Sequence, residues 1–597
     1  MSARGGPGAV IVAEMVGAGR GAAAQPAFEA GPRITLAKGA RGSARIGDLV
    51  TVTMRGRAGR VTAVHGPARS PAAALRALLV SEGLGRPFPR AVEEEADALR
   101  EGAAAGDRGR RDLRDRRVIT IDPEGAKDHD DAIAVAPQEG GAARLWVHIA
   151  DVSRFVAAGG EIDREAARRG NSVYVPGAVD PMLPHRLSSD LCSLRPGVDR
   201  AVVTAELVIG PDGEVGETRF SRSLIRSERR LTYPQVDALQ AGGSLGDGAL
   251  EADLALAARL AAALRGRRIA RGALEASSAE PVVAFDGDRV ASIRREGQTP
   301  AHSLVEECMI AANEAVARYL IARGRPTVFR HHDDPAQGRI EMLYAQLEEL
   351  GVATPPLPDG PMGPAQRRAA GSGAAAAVAR HLAAGGAGGD ALWSLVLRTL
   401  RQAHYSPDAP THSGLASAAY LHFTSPIRRY PDLLVHRGLL DALGLADPGP
   451  EGAELAAAAD HCSATERAAA TVERRADDIC AAMLLRDRLD RDGWEGELEG
   501  TVVGVIDAGL FVEMEGVFTG FLPSRRLEED HYRADPLGVM LVGDRGGRRI
   551  RLGDPVGVRA VRIEPLRGRV ELEPSSAVRR PAGVGPGGRR ERRGRPR

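Results

Sequence analysis

The stretch Val118–Val135, V-I-T-I-D-P-E-G-A-K-D-H-D-D-A-I-A-V, sets the frame for the whole chain. A β-branched run, Val118 to Ile121, ends on Asp122. Pro123 and Gly125 break the pattern, Asp128, Asp130 and Asp131 follow, and a second apolar run, Ala132 to Val135, leads away. This predicts strand, loop, strand, with four carboxylates inside ten residues. Carboxylates that close repel one another, and unpaired burial costs several kcal/mol apiece. A solvated acidic loop with Lys127 beside it relieves that strain, and so does a divalent metal. Hard cations such as Mg²⁺ take oxygen ligands. The order D-x5-D-x-D-D lacks the central Gly and closing Glu of a calcium EF-hand. Two adjacent metals clamped by several aspartates is an arrangement used for in-line phosphoryl displacement.

The motif resembles the signature of the ribonuclease II and ribonuclease R family, the RNB-domain exoribonucleases. The likeness continues in H-I-A-D-V-S (His148–Ser153) and in Y-V-P-G-A-V-D-P-M-L-P-H-R-L-S-S-D-L-C-S-L (Tyr174–Leu194). It returns in L-V-E-E-C-M-I-A-A-N (Leu304–Asn313) and H-F-T-S-P-I-R-R-Y-P-D-L-L-V-H-R (His422–Arg437). These blocks stand in the family's order across residues 116–490. The resemblance implies an α+β multidomain protein. A central RNB catalytic domain is flanked by small oligonucleotide-binding β-barrels, cold-shock-like at the N-terminus and S1 at the C-terminus.

It also implies a processive 3′→5′ exoribonuclease that releases 5′-mononucleotides from single-stranded RNA, acting as a monomer. Asp122, Asp128, Asp130 and Asp131 match the family's four catalytic aspartates and are expected to hold two Mg²⁺, with Mn²⁺ as a substitute. Arg428, in T-S-P-I-R, matches the catalytic arginine. A guanidinium can hold a phosphate by two hydrogen bonds. Arg429 competes on chemistry alone, and an ion pair with Asp432 is the structural alternative for Arg428. Tyr174 and Glu473 match contacts to the 3′-terminal nucleotide, although a Tyr beside Pro and Gly also suits a core. Glu306 or Glu307 is a candidate for ribose. His129 is read as a loop residue, because Mg²⁺ prefers oxygen.

Composition narrows the alternatives. The chain has 597 residues and a formal net charge of +1, so several domains are expected and RNA contact must come from local patches. Cys192, Cys308, Cys462 and Cys480 form no CxxC, which argues against structural zinc and fits a reducing, cytoplasmic setting. No apolar run has the length of a membrane span. A non-catalytic RNA-binding protein on an RNB scaffold predicts lost aspartates or a lost arginine, and neither is seen. A DNA- or small-phosphodiester-specific nuclease is separable by activity on RNA but not on matched DNA.

Residues 1–40, rich in Gly, Ala and Arg, are expected to be poorly ordered. Residues 41–88 read as a shortened cold-shock-like barrel: Val50, Val52 and Met54 alternate with Thr51, Thr53 and Arg55, but Phe28 is the only aromatic before Phe88. Residues 89–115 read as helix and linker, and 116–490 as the catalytic domain. Within it, Ser303 to Glu306 reads as a capping box, and Ala365–Gly389 as a surface loop or loose helix. Residues 494–574 read as an S1-like barrel with Leu510, Val512 and Met514 inward. Phe511 then faces outward, where it can stack on a base or fill a barrel edge. Ala508 and Pro523 replace a Phe and a His common in S1 domains. Residues 576–597, with eight arginines against Glu591, read as a basic disordered tail.

Overall fold

The computed structural model describes residues 9–18, 21–56, 58–100, 109–275, 279–446, 449–527 and 530–575. The chain opens with β1 (Val10–Ala18), β2 (Gly21–Pro26), β3 (Ile34–Thr35), β4 (Asp48–Arg55) and β5 (Ala58–Pro67). They form an antiparallel sheet in the order β3-β2-β1-β4-β5, and a parallel bridge from Leu36 to Gly59 brings its two edges together. The expectation of disorder over residues 1–40 is therefore corrected for residues 10–26, which form two strands of this barrel. The small side chains of β2 carry little period-2 contrast, and the unbroken apolar run Val10–Ala13 of β1 shows no alternation. Ala13 and Ala24 nevertheless fill the interior beside Met15, Val50 and Val52. Residues 1–8 lie outside the described residues.

Helix α1 (Pro71–Ser81) follows, its first turn capped by the Ser70 hydroxyl, which accepts the Ala73 N–H at 3.2 Å. Next come α2 (Arg90–Ala98) and β6 (Arg111–Asp112). The helix read within 89–115 is α2, which buries Val92 and Ala96 against the central domain, while β6, in the stretch read as linker, pairs into that domain's sheet. Residues 101–108 lie outside the described residues.

The central domain is built on a six-stranded sheet in the order β12-β9-β8-β7-β13-β6. Its members are β7 (Val118–Asp122), β8 (Asp131–Pro137), β9 (Ala143–Ala150), β12 (Asp199–Ile209) and the 18-residue β13 (Val215–Thr232). Between β9 and β12 lie α3 (Glu161–Arg169), the hairpin of β10 (Val173–Val175) and β11 (Ala178–Asp180), and a π-helical turn at Leu187–Leu191. β12 also pairs with β13, so the sheet curls back on itself.

After the sheet come α4 (Tyr233–Gln240), α5 (Gly248–Ala270), a ribbon of β14 (Ala279–Asp286) and β15 (Arg289–Gly297), and α6 (Pro300–Ala322). Then follow β16 (Phe329–His331), α7 (Gln337–Glu349), α8 (Pro364–Ala383), α9 (Gly389–Thr399), β17 (His404–Ser406), α10 (Tyr430–Ala442) and the 41-residue α11 (Gly452–Asp492). One sheet face, with Ile119, Ile133 and Val147, packs on Leu254, Leu304 and Cys308 of α5 and α6. The other, with Val118, Ala134 and Trp146, packs on Met182 and Leu433.

Two further expectations are corrected. Helix α6 is capped by Thr299 with His302, not by Ser303 with Glu306. Pro300 starts the helix because its fixed φ suits the first helical position, and this places Ser303 inside the first turn. The low-complexity stretch 365–389 is mostly the ordered helix α8, whose Ala370, Ala374, Ala377 and Val378 pack against α7 and α9. Small side chains there let the helices approach closely.

The C-terminal unit comprises β18 (Leu498–Ile506), β19 (Gly509–Met514), β20 (Phe518–Pro523), an inserted sheet of β21 (Tyr532–Ala534), β22 (Met540–Gly543) and β23 (Arg549–Arg551), then β24 (Pro555–Glu564) and β25 (Arg569–Pro574). A closed barrel forms in the order β18-β19-β20-β25-β24. Leu510, Val512 and Met514 are fully buried in it, and Phe511 points outward. The basic tail, residues 576–597, lies outside the described residues. The four cysteines are buried and unpaired. Among the described residues no helix is long and apolar enough to cross a membrane.

Candidate active site

Asp122 closes β7 and Asp131 opens β8, so the reversal between two neighbouring strands carries all four carboxylates to one end of the sheet. Asp122 stands beside Thr232 of β13, and Asp131 lies across from Ile149 of β9. The connecting loop is held from several sides. Arg230 of β13 donates to the Pro123 and Glu124 carbonyls at 2.7 and 2.5 Å. The Ala150 N–H donates to the Asp130 carbonyl at 2.9 Å. Asp130 Oδ1 accepts the Ile427 N–H at 2.8 Å, which seats a segment 297 residues further on against the loop.

That segment separates the two arginines. Arg429 grips the fully buried Asp432 through Nε–Oδ2 and Nη2–Oδ1 bonds of 2.9 and 2.7 Å. Arg428 is left facing the carboxylates, with Nε 3.8 Å from Asp130 Oδ2, Nη2 donating to Ser425 Oγ at 3.2 Å, and 46% of its side chain exposed. The alternative ion pair between Arg428 and Asp432 does not form, because Arg429 occupies that carboxylate.

Tyr174, on β10, donates its hydroxyl to Asp128 Oδ2 at 2.7 Å, and its N–H donates to Glu473 Oε1 of α11 at 2.9 Å. The two residues, distant in sequence, thus adjoin the cluster together. Burial raises the Tyr174 phenol, with the Asp128 charge adding to it, and burial raises the Glu473 carboxyl. Glu307 is committed to Arg268 of α5 at 3.0 and 2.5 Å, and exposed Glu306 is bonded to Gln298. Phe511 lies apart from the cluster, on the C-terminal barrel, where it packs 5.2 Å from Phe521 with 40% of its surface exposed.

Some neighbours escaped the sequence reading. Tyr233 opens α4 directly after the strand that flanks Asp122; burial first, then the charges of Asp131 and Asp122, raises its phenol. Its ring stacks on His302 at 3.8 Å. Only the parallel β7–β13 register brings it there, and local sequence does not display that register. His129 is buried, with Nδ1 3.1 Å from Asp122 Oδ2 in a geometry that makes no hydrogen bond.

The cluster is electrostatically unfinished. Burial pushes the Asp131 carboxyl up to about 7, with the Asp122 charge adding to this and Arg428 opposing it. Burial likewise raises Asp130, again against Arg428. Asp122 Oδ2 and Asp130 Oδ2 are buried and have no hydrogen-bond partner. Buried oxygens without donors, beside carboxyls pushed toward neutrality, match the needs of a hard cation, and an all-carboxylate donor set suits Mg²⁺ or Mn²⁺. By donor chemistry the residues fit such an ion. Among the described residues no group of three or more His, Cys, Asp or Glu is arranged to enclose one as it stands.

Comparison with known proteins agrees with this architecture. The RNB domain family matches residues 110–444, more than half of the chain. Ribonuclease R of Escherichia coli (strain K12) is 34% identical over 567 residues, covering 91% of this chain and 68% of that protein. Ribonuclease R of Thermotoga maritima is 37% identical over 533 residues, covering 86% and 72%. Mycoplasma genitalium ribonuclease R, solved in complex with ribose-methylated single-stranded RNA, superposes with a TM-score of 0.84 at 24% identity, covering 95% of this chain and 89% of that one. The matched span starts at residue 110, before the expected boundary at 116, and so takes in β6. With four carboxylates at one sheet end, an arginine facing them and relatives of this similarity, the chain belongs to the RNB-domain family of exoribonucleases.

Proposed function

We propose that this protein hydrolyses single-stranded RNA processively from the 3′ end to 5′-mononucleotides at the Asp122–Asp131 cluster, with Mg²⁺ as cofactor and Mn²⁺ as a substitute. The observation that carries the reading is the pairing of Arg428, unclaimed by Asp432, with carboxylates whose buried oxygens have no donors. Asp122, Asp128, Asp130 and Asp131 would hold the metal. When bound it supplies an activated water and charge stabilisation for in-line displacement at the scissile phosphate.

The remaining work falls to the chain's own groups. Arg428 binds a non-bridging phosphate oxygen and offsets charge as it builds. Tyr174 packs against the terminal nucleotide, and Glu473 holds its backbone in place. A cleft of about 2140 Å³ between the N-terminal barrel, the β14–β15 ribbon, α11 and the C-terminal barrel has room for the strand, which would be threaded from there to the cluster. Threading of this kind keeps the product strand engaged between cuts. The single-stranded RNA seen on the Mycoplasma neighbour supports that substrate class.

The test is incubation of purified protein with 5′-labelled single-stranded RNA and Mg²⁺, beside matched DNA, EDTA and Asp130→Asn controls. A metal-dependent ladder shrinking from the 3′ end of RNA alone, absent in the variant, is the expected result. RNA binding without cleavage in either metal would place the protein among non-catalytic RNB scaffolds. Equal cleavage of DNA would overturn the RNA-specific reading.

A further inference from the structure

The block that ends D-L-C-S-L matches the family pattern but carries no group with obvious chemistry at its end. Its last serine is nonetheless fully buried against the acidic loop. Ser193 Oγ accepts the His129 N–H at 3.2 Å and donates to the Lys127 carbonyl at 2.8 Å. One hydroxyl thus spans the two residues that bracket Asp128. The next residue repeats the grip, as the Leu194 N–H donates to the His129 carbonyl at 3.0 Å. Behind Ser193, the buried Arg200 donates from Nε to the Ser193 carbonyl at 2.8 Å and from Nη2 to the Asp190 carbonyl at 3.0 Å.

We propose that Ser193 is a positioning residue, a latch that holds the Lys127–Asp130 loop in its metal-ready shape against the mutual repulsion of the four carboxylates. This rests on the reading of the cluster as a divalent-metal centre. The physical need is specific. Before a cation arrives, the repulsion between Asp122, Asp128, Asp130 and Asp131 favours a loop that spreads them apart. A side chain that ties the peptides on both sides of Asp128 to a fixed support offsets that tendency, so the ion meets a preorganised set of oxygens. Ser193 touches neither substrate nor the reacting atoms. Its effect passes through backbone groups, and it should therefore act on metal affinity and turnover while leaving RNA affinity alone.

The experiment compares the full-length parent with Ser193→Ala and Ser193→Cys. Cysteine keeps the side-chain size but bonds weakly. Three quantities are read: Mn²⁺ affinity of the RNA-free protein by calorimetric titration, RNA affinity in EDTA by fluorescence anisotropy, and single-turnover cleavage of 5′-labelled RNA across a Mg²⁺ series. Loss of a buried hydrogen-bonding partner is expected to weaken Mn²⁺ about tenfold in both variants, with a similar rise in the Mg²⁺ midpoint. RNA affinity should stay at the parent's value, while the melting temperature should fall modestly in both variants through the lost buried hydrogen bonds. Parental Mn²⁺ affinity in both variants overturns the latch. So does a Cys variant that behaves like the parent while Ala fails, since that assigns the effect to lost volume. A joint fall in RNA affinity and melting temperature reduces Ser193 to a fold residue and also overturns it. A parent that binds no Mn²⁺ leaves the latch nothing to organise and rejects it outright. A parent that binds Mn²⁺ but cuts no RNA removes the exoribonuclease reading alone, and the Mn²⁺ titration still decides Ser193.

Discussion

Replacing Arg428 and Arg429 by alanine, one at a time, should give opposite phenotypes, although the two residues are neighbours with identical side chains. At 3.8 Å from Asp130 Oδ2, the Arg428 charge interacts with that carboxylate by about 4 kcal/mol at an effective dielectric constant of about 20. With 46% of the side chain exposed, solvent screening reduces this to about 1 kcal/mol or less, so Arg428→Ala should change the melting temperature little. Its loss removes the charge that opposes the upward push on Asp130 and Asp131, so both hold protons more firmly and the Mg²⁺ midpoint rises. It also removes a charged donor aimed at the phosphate, a loss worth about a hundred- to a thousandfold in kcat.

Arg429→Ala instead strands Asp432, which is 0% exposed and would lose both guanidinium bonds. Breaking a buried pair from one side costs about 3–5 kcal/mol. The assay is thermal melting alongside single-turnover cleavage at saturating RNA and Mg²⁺. Arg428→Ala cleaving within about threefold of the parent would refute the assignment, since one lost oxyanion-type donor should cost far more. An Arg429→Ala protein that melts like the parent but cannot cleave would show that the roles are reversed.

Other outcomes follow from the same geometry. Asp131, held up to about 7, must lose its proton to bind a metal, so the Mg²⁺ midpoint should rise as pH falls below 7 and be flat above 8; a midpoint constant from pH 6 to 8 would contradict this. Because its folded value lies above the unfolded one, ionising Asp131 costs the folded state stability at high pH and the cost eases as pH falls through about 7. Metal-free protein should therefore melt slightly higher at pH 7 than at pH 8, and Asp131→Asn should shrink that difference, with Asp477, also pushed up to about 7, supplying the remainder. Phe511→Ala, at an exposed ring on the C-terminal barrel, should weaken RNA binding about tenfold in anisotropy with kcat unchanged, and unchanged affinity would leave the ring a barrel-edge residue. Gly170→Ala should lower the melting temperature clearly, because Gly170 sits at φ +74° and a Cβ there would lie 2.1 Å from Thr465 Oγ1; a parental melting curve would contradict the close approach.

The acidic loop was legible because its chemistry is local. Asp122 to Asp131 lie within ten residues, and a strand-loop-strand pattern brings them together whatever the rest of the chain does. The C-terminal barrel was legible for a similar reason: Leu510, Val512 and Met514 mark one face by their two-residue period, and all three are buried. The N-terminal strands were not: V-I-V-A in β1 is a continuous apolar run with no alternation, and G-A-A-A-Q in β2 offers side chains too small to mark an inside and an outside. Helix α8 shows the same failing in helical form. There alanine permits close packing but does not announce it.

Position in the T-S-P-I-R motif already favoured Arg428 over Arg429; tertiary structure adds which of the two has a carboxylate partner. Both sit in one motif with the same charge and reach, and only the placement of Asp432 one turn into α10 draws Arg429 away. Tyr233 and Ser193 are of the same kind. Each reaches the loop through strand register or through a turn more than 60 residues away in sequence, as in the Ser193–His129 and Ser193–Lys127 bonds. Sequence determines which groups are available and which neighbours along the chain share a loop. Which distant group faces a charge, and which is already spent on another partner, is settled by packing, because a hydrogen bond depends on where two atoms lie in space and not on their separation along the chain.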